Sequence, residues 1–256
     1  MMYSPIKRTS NGLYNDLRIL SGVNFDFSFA FQPIVNANTR QVVAFEALVR
    51  GPEGEPSEEV FSRVPRTKMY GFDQACRVKA ISLARQLNIH TKLNINLLPN
   101  AMYRTAFSIR ATLQASLDCG FPTDNIIFEV SEAEKLVDYV RVVDIFEAYE
   151  GFGFQTAIDD FGTGYSGLKL LVEYQPNYIK LDRNLIANVD KEPVKQTVVK
   201  GMGQICKQLG IEMMGEGVET AEEYYWLRGA GISLFQGYYF ARPAFEALED
   251  VHPRLF

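Results

Sequence analysis

Five short apolar runs in this chain end on a carboxylate or an amide. They are Val43-Ala44-Phe45-Glu46, Leu93-Asn94-Ile95-Asn96, Ile126-Ile127-Phe128-Glu129, Thr156-Ala157-Ile158-Asp159-Asp160 and Glu212-Met213-Met214-Gly215-Glu216. Strand ends converging within one domain would bring these groups into one strongly negative site. Crowded carboxylates stay ionised only with cations among them. The ligand set is all oxygen, which suits Mg²⁺ or Mn²⁺. The only histidines are His90 and His252, and the three cysteines, Cys76, Cys119 and Cys206, form no Cys-x-x-Cys pair. His-based triads, His-rich metal sites and zinc clusters are thereby set aside.

Other polar groups share this spacing. Glu46, Leu48 and Arg50 alternate onto one face of a strand, and an arginine fork beside a metal-grade carboxylate suits a phosphodiester. Lys180 and Asp182 share a face at the end of Tyr178-Ile179-Lys180-Leu181-Asp182, and an ammonium in such a place needs carboxylate partners. Glu132 and Glu219 each stand three residues beyond a principal carboxylate, where they can brace it. Gln236 closes a run and can orient water or phosphate. A second Glu246-Ala247-Leu248 follows Pro243 in an expected helical stretch and is read as coincidence.

The stretch from Asp159 to Gly167 imitates two other motifs. Asp160-Phe161-Gly162 looks like a kinase magnesium motif, but the catalytic and Gly-rich loops that must accompany it are missing. Gly162-x-Gly164-x-x-Gly167 follows a strand, with Asp182 at about the offset a dinucleotide fingerprint wants. Two aspartates just before the turn would repel a pyrophosphate. The glycines are better used in a loop that lets backbone approach a metal site.

Strand patterns at 29–35, 41–49, 92–96, 126–129, 154–158, 177–181, 211–214 and 233–236 must position these groups. Helical patterns at 73–87, 101–117, 132–149, 194–209 and 221–228 alternate with them. Ser131 with Glu134, and Thr220 with Glu223, read as capping boxes just past strand ends. Eight strands alternating with helices in a chain of 256 residues predict a (β/α)₈, TIM-like α/β barrel, whose site lies at the C-terminal strand ends. Residues 36–40 are too few for a parallel crossover, so the first strand is expected antiparallel to the second. Residues 1–28 read as an N-terminal extension and 29–256 as the barrel. The net charge of −5 argues against a nucleic-acid polymer as partner. No apolar run reaches the ~20 residues needed to span a bilayer, and the chain reads as cytoplasmic.

Taken in order, these segments resemble the EAL-domain family of cyclic di-GMP phosphodiesterases. The resemblance rests on Gln32-Pro33-Ile34-Val35, Glu46-Ala47-Leu48, Asn96-Leu97-Leu98-Pro99, Glu129-Val130-Ser131-Glu132, the Asp159 to Ser166 stretch, Ile179-Lys180-Leu181-Asp182, Glu216-Gly217-Val218-Glu219-Thr220 and Gln236-Gly237-Tyr238. It implies hydrolysis of one phosphodiester of cyclic di-GMP to linear pGpG with two Mg²⁺ or Mn²⁺ ions. It implies metal ligands at Glu46, Asn96, Glu129, Asp159, Asp160 and Glu216, a catalytic lysine at Lys180 and a site glutamine at Gln236. It further implies a loop-holding glutamate at Glu132 and substrate contacts at Gln32, Leu48, Arg50, Asp182, Glu219 and Pro243. A homodimer formed through helices after the fifth strand is implied as well, as is an upstream sensor domain or regulatory partner. Gly51-Pro52 and the short segment up to Tyr70 depart from the family pattern, but the ligand set is complete and favours an enzyme over a silent cyclic di-GMP receptor. Two divalent cations would offset the charge that five carboxylates and one lysine leave.

Overall fold

A computed structural model describes residue 17 and residues 20–98, 105–132, 139–164 and 167–256. Its first two strands, β1 (Ser28–Asn36) and β2 (Gln41–Arg50), form an antiparallel hairpin. The turn is set locally: the Asn36 side chain accepts from the backbone N–H groups of Asn38 and Thr39, and Arg40 takes a left-handed conformation with φ 57°. The expected antiparallel first strand is present, and its register sets Gln32 directly opposite Glu46.

From β2 the chain continues through β3 (Lys92–Asn96), β4 (Ile126–Ser131), β5 (Gln155–Phe161), β6 (Tyr178–Leu181), β7 (Glu212–Gly215) and β8 (Leu234–Phe235). Neighbours from β2 to β8 are parallel, and β1 closes the barrel by pairing antiparallel with both β2 and β8. This is the predicted TIM-like (β/α)₈ architecture with one inverted strand. Two apolar layers hold it. Inside the barrel, Ile34, Ala44, Ile127, Ala157, Tyr178, Met214 and Leu234 pack together, each two residues from a polar mouth or base position as strand alternation requires. Outside, a larger core fills the space between sheet and helices.

The principal helices are Met69–Gln86, Thr105–Cys119, Tyr139–Glu150, Pro193–Leu209 and Ala221–Gly229. Pro193 opens its helix and Gly210, at φ 73°, ends it, the usual asymmetry of helix termini. The Thr220–Glu223 capping box is formed. The Ser131 hydroxyl donates to Asp160, and the expected Ser131–Glu134 capping box lies outside the described residues. One expectation is overturned. The stretch after Pro243 is not helical: Ala244–Phe245 forms β9 on the free side of β1, and Ser28 donates to Glu246. Backbone pairing with β1 outweighs the local helical tendency there. Among the described residues no helix is long and apolar enough to cross a membrane.

Candidate metal centre

Lys180 stands at the middle of the barrel mouth and is fully buried. Its Nζ lies 3.2 Å from Glu46 Oε2, 3.2 Å from Glu129 Oε2, 3.0 Å from Asp159 Oδ1 and 3.3 Å from Glu216 Oε2. Four strands therefore aim carboxylates at one ammonium on a fifth. Gln236 Nε2 donates to Glu46 Oε2 at 2.7 Å and to Gln32 Oε1 at 3.0 Å, and Gln32 Nε2 donates to the Ala241 carbonyl. Asn96 Nδ2 donates to Glu46 Oε1 at 3.1 Å.

One lysine cannot neutralise this many carboxylates, and the protonation tendencies say so. Burial pushes Glu129 up to about 8, more than the opposing pull of Lys180 can offset. Burial and Asp159 drive Glu216 well above the ordinary range. Asp159 suffers burial too, yet Lys180 holds it below its usual value. Burial would lower Lys180, but the surrounding carboxylates raise it well above an ordinary lysine.

The oxygens fall into two overlapping groups, Glu46–Glu129–Asp159 and Asp159–Asp160–Glu216, each with its ligand atoms within 4.8 Å of one another. Asp159 belongs to both. Asp159 Oδ1 and Glu216 Oε2 are buried and pair with Lys180, and among the described residues neither makes a well-directed hydrogen bond. Buried carboxylate oxygens that share a single ammonium, in an all-oxygen set, fit hard divalent cations.

Local backbone geometry brings Asp159 and Asp160 together. Consecutive strand residues face opposite ways, but the β5–β6 register shifts between Ile158 and Phe161 and Asp160 has φ 53°. The next turn is held from β4. Glu132 accepts from Gly162 N at 2.6 Å and Gly167 N at 2.5 Å. A Cβ on Gly164 would come within 2.6 Å of the Glu132 carbonyl oxygen, so the close approach requires glycine.

A cleft of about 340 Å³ extends from Glu46, Asp159 and Glu216 past Leu48 and Asn96 to Asp73 on the helix Met69–Gln86. The remaining sequence-selected residues lie outside the carboxylate cluster. Arg50 donates to the Val49 carbonyl, and Asp182 caps the short helix Arg183–Ile186 by accepting from Asn184 N. Glu219 pairs with Arg183 at 3.1 Å, and half-buried Pro243 precedes β9. The sequence reading missed Arg183, Asp73 and Asn94. Asp73 accepts from Leu98 N, two residues beyond Asn96. Asn94 carried a signal: it is two residues before Asn96 and so shares its inward face.

The comparisons agree with this geometry. A structure of a standalone versatile EAL protein from Vibrio cholerae O395, in a c-di-GMP bound form, matches with TM-score 0.88 and 48% identity over 91% of this chain and 98% of that one. Klebsiella pneumoniae BlrP1, as a manganese/cy-diGMP complex, matches with TM-score 0.84 and 37% identity over 88% of this chain and 57% of that one. The Escherichia coli K12 blue light- and temperature-regulated antirepressor BluF is 32% identical over 224 residues, covering 87% of this chain and 56% of BluF. The probable cyclic di-GMP phosphodiesterase PdeN of the same organism is 30% identical over 230 residues, covering 85% of this chain and 43% of PdeN. The chain thus spans about half the length of these two curated relatives. The EAL domain model matches residues 16–243, a span that holds every group around Lys180, and the chain belongs to the EAL domain family.

Proposed function

We propose that this chain hydrolyses one phosphodiester bond of cyclic di-GMP to linear pGpG with two divalent cations, Mg²⁺ or Mn²⁺. The observation that carries the reading is Asp159, shared by two overlapping oxygen clusters. Glu46, Asn96, Glu129 and Asp159 would hold one cation, and Asp159, Asp160 and Glu216 the other. When bound, such a pair supplies Lewis-acid activation of water and stabilisation of the leaving oxygen.

The chain's own residues orient the rest. Lys180 stays charged among its carboxylates and, beyond its hydrogen bonds to Glu46 and Glu129, has one N–H left to turn toward a phosphate entering the barrel mouth. Gln236 spends its amide protons on Glu46 and Gln32, while its Oε1 is buried without a hydrogen-bond partner among the described residues. That acceptor suits an attacking water. Glu132 fixes the loop after β5 and so the direction of Asp160. Gln32 and Leu48 line the approach, with Arg50, Asp182, Glu219 and Pro243 further out for the nucleotide. Exposed Leu168 and Val172 on the helix Gly167–Glu173 supply an apolar contact for a homodimer.

The likeness to an antirepressor supports one other reading, a cyclic di-GMP receptor that acts through a protein partner. The same assay separates the two. Protein incubated with cyclic di-GMP and Mg²⁺ or Mn²⁺ should release pGpG, and Asp159→Asn or a chelator should each abolish release. Tight binding with no turnover under either metal would favour the receptor.

A further inference from the structure

The barrel interior holds a polar side chain beside the carboxylates that the metal reading does not use. Asn94 is fully buried and sits one layer below the carboxylates. Its Nδ2 donates to Glu129 Oε1 at 2.5 Å. The other Glu129 oxygen, Oε2, faces Lys180. A Glu129 that ligates a cation is ionised and only accepts, so in that state the Asn94 amide group points up to Oε1 and its carbonyl down. That carbonyl, Oδ1, has no hydrogen-bond partner among the described residues.

Below it lies a cavity of about 130 Å³, lined by Asn94, Lys92, Tyr178, Asn36 and Glu212 among apolar neighbours. This is several times the ~30 Å³ occupied by one liquid water. Lys92 Nζ donates to Gln155 Oε1 at 2.5 Å and to the Tyr178 hydroxyl at 2.6 Å. An ammonium has three protons, so Lys92 keeps one for solvent. The cavity is polar at its base, and its roof presents a buried acceptor.

We propose that Asn94 is a positioning residue, held from beneath by water in this cavity, that turns Glu129 so that only Oε2 is offered to a cation. The inference rests on the reading of Glu129 as a cation ligand. Asn94 reaches no substrate and acts only through Glu129. Groups that hold a ligating carboxylate from behind typically contribute 10–100-fold to metal affinity.

The test is Mn²⁺ titration by calorimetry, without substrate, on wild type, Asn94→Leu and Asn94→Ala. Wild type is measured first, and failure to bind Mn²⁺ there sinks the metal reading itself. Given wild-type binding, Asn94→Leu should weaken it ~10–100-fold. Asn94→Ala, with room for a substitute water, should fall between. The melting temperature in chelator should fall for Asn94→Leu, because the variant also leaves the buried Glu129 Oε1 without its donor, and Mn²⁺ affinity is read below that melting temperature. Either soluble variant binding Mn²⁺ as tightly as wild type overturns the proposal. A wild-type crystal structure should show water within hydrogen-bond reach of Asn94 Oδ1; a dry cavity there would overturn the water arm.

Discussion

Asp159 and Asp160 are neighbours in sequence, yet they deliver their carboxylates to the same side of the sheet. The left-handed backbone at Asp160 and the register shift beside it make this possible. Aspartate and asparagine tolerate that conformation better than other non-glycine residues, and β-branched residues do so worst. Asp160→Asn should therefore fold like wild type in chelator and lose hydrolysis. Asp160→Val should lose both activity and about 1–3 kcal/mol of stability, the usual cost of a strained backbone. Urea unfolding of the two variants in chelator measures the difference. Equal stability would mean that the bend places no demand on residue type.

Lys180 has a different dependence on metal. Among the described residues it is, in chelator, the only cation reaching these four carboxylates, and removing one partner of a buried charge group typically costs ~3–5 kcal/mol. Lys180→Met should melt well below wild type in chelator and recover most of that loss in Mn²⁺. Hydrolysis should remain depressed by about 10²–10³-fold, the range for losing one preorganised stabilising group. Calorimetric melts with and without Mn²⁺ are the check. A variant that melts like wild type in chelator would show that the carboxylates do not need the ammonium.

Most of the centre was legible because strand alternation is rigid. Once Glu46, Glu129 and Lys180 lie near the ends of strands in one closed barrel, their convergence follows from topology. The short turn at 36–40 likewise left β1 one direction to run. Other features were not written locally. The β5 bend depends on pairing with β6, and alternation alone would have sent Asp159 and Asp160 to opposite faces. Arg183 is a long side chain whose partners, Glu219 and Glu223, lie 36 and 40 residues away. The strand at Ala244–Phe245 exists only because β1 offers it an edge.

Arg77 carries a second buried charge outside the metal centre. Fully buried on the helix Met69–Gln86, it pairs with Asp73 at 2.9 Å and donates to the Tyr149 hydroxyl. Burial raises the Asp73 carboxyl despite Arg77 beside it. Asp73 also anchors Leu98 N, so the pair ties this helix to the loop that follows Asn96. Arg77→Met should cost about 3–5 kcal/mol. Adding Asp73→Leu should cost less than the sum of the two single changes, because the stranded carboxylate goes with it. A double-mutant cycle by urea unfolding tests this, and strict additivity would sink the coupling.

Glu223 gives the fold a pH signature separate from the metal centre. It is buried and accepts from Arg183 Nη1 at 2.8 Å on both oxygens, from Asn188 N and from Glu219 N. Burial opposes ionisation, but these donors together hold the carboxyl below the ordinary glutamate value of 4.5. The unfolded chain therefore takes up its proton first as pH falls. The stabilisation is complete above the unfolded value and drains away as pH drops through the lower folded one. Glu223→Gln should lower stability by about 1.5–3 kcal/mol at pH 7, typical for hydrogen bonds to a charged group. The gap to wild type should then close below about pH 4. Because Glu223 joins the Asp182-bearing turn to the loop after Glu216, the variant should also weaken cyclic di-GMP binding while retaining Mn²⁺ affinity. A gap that stayed constant down to pH 3 would show that the carboxyl is not held ionised by these partners.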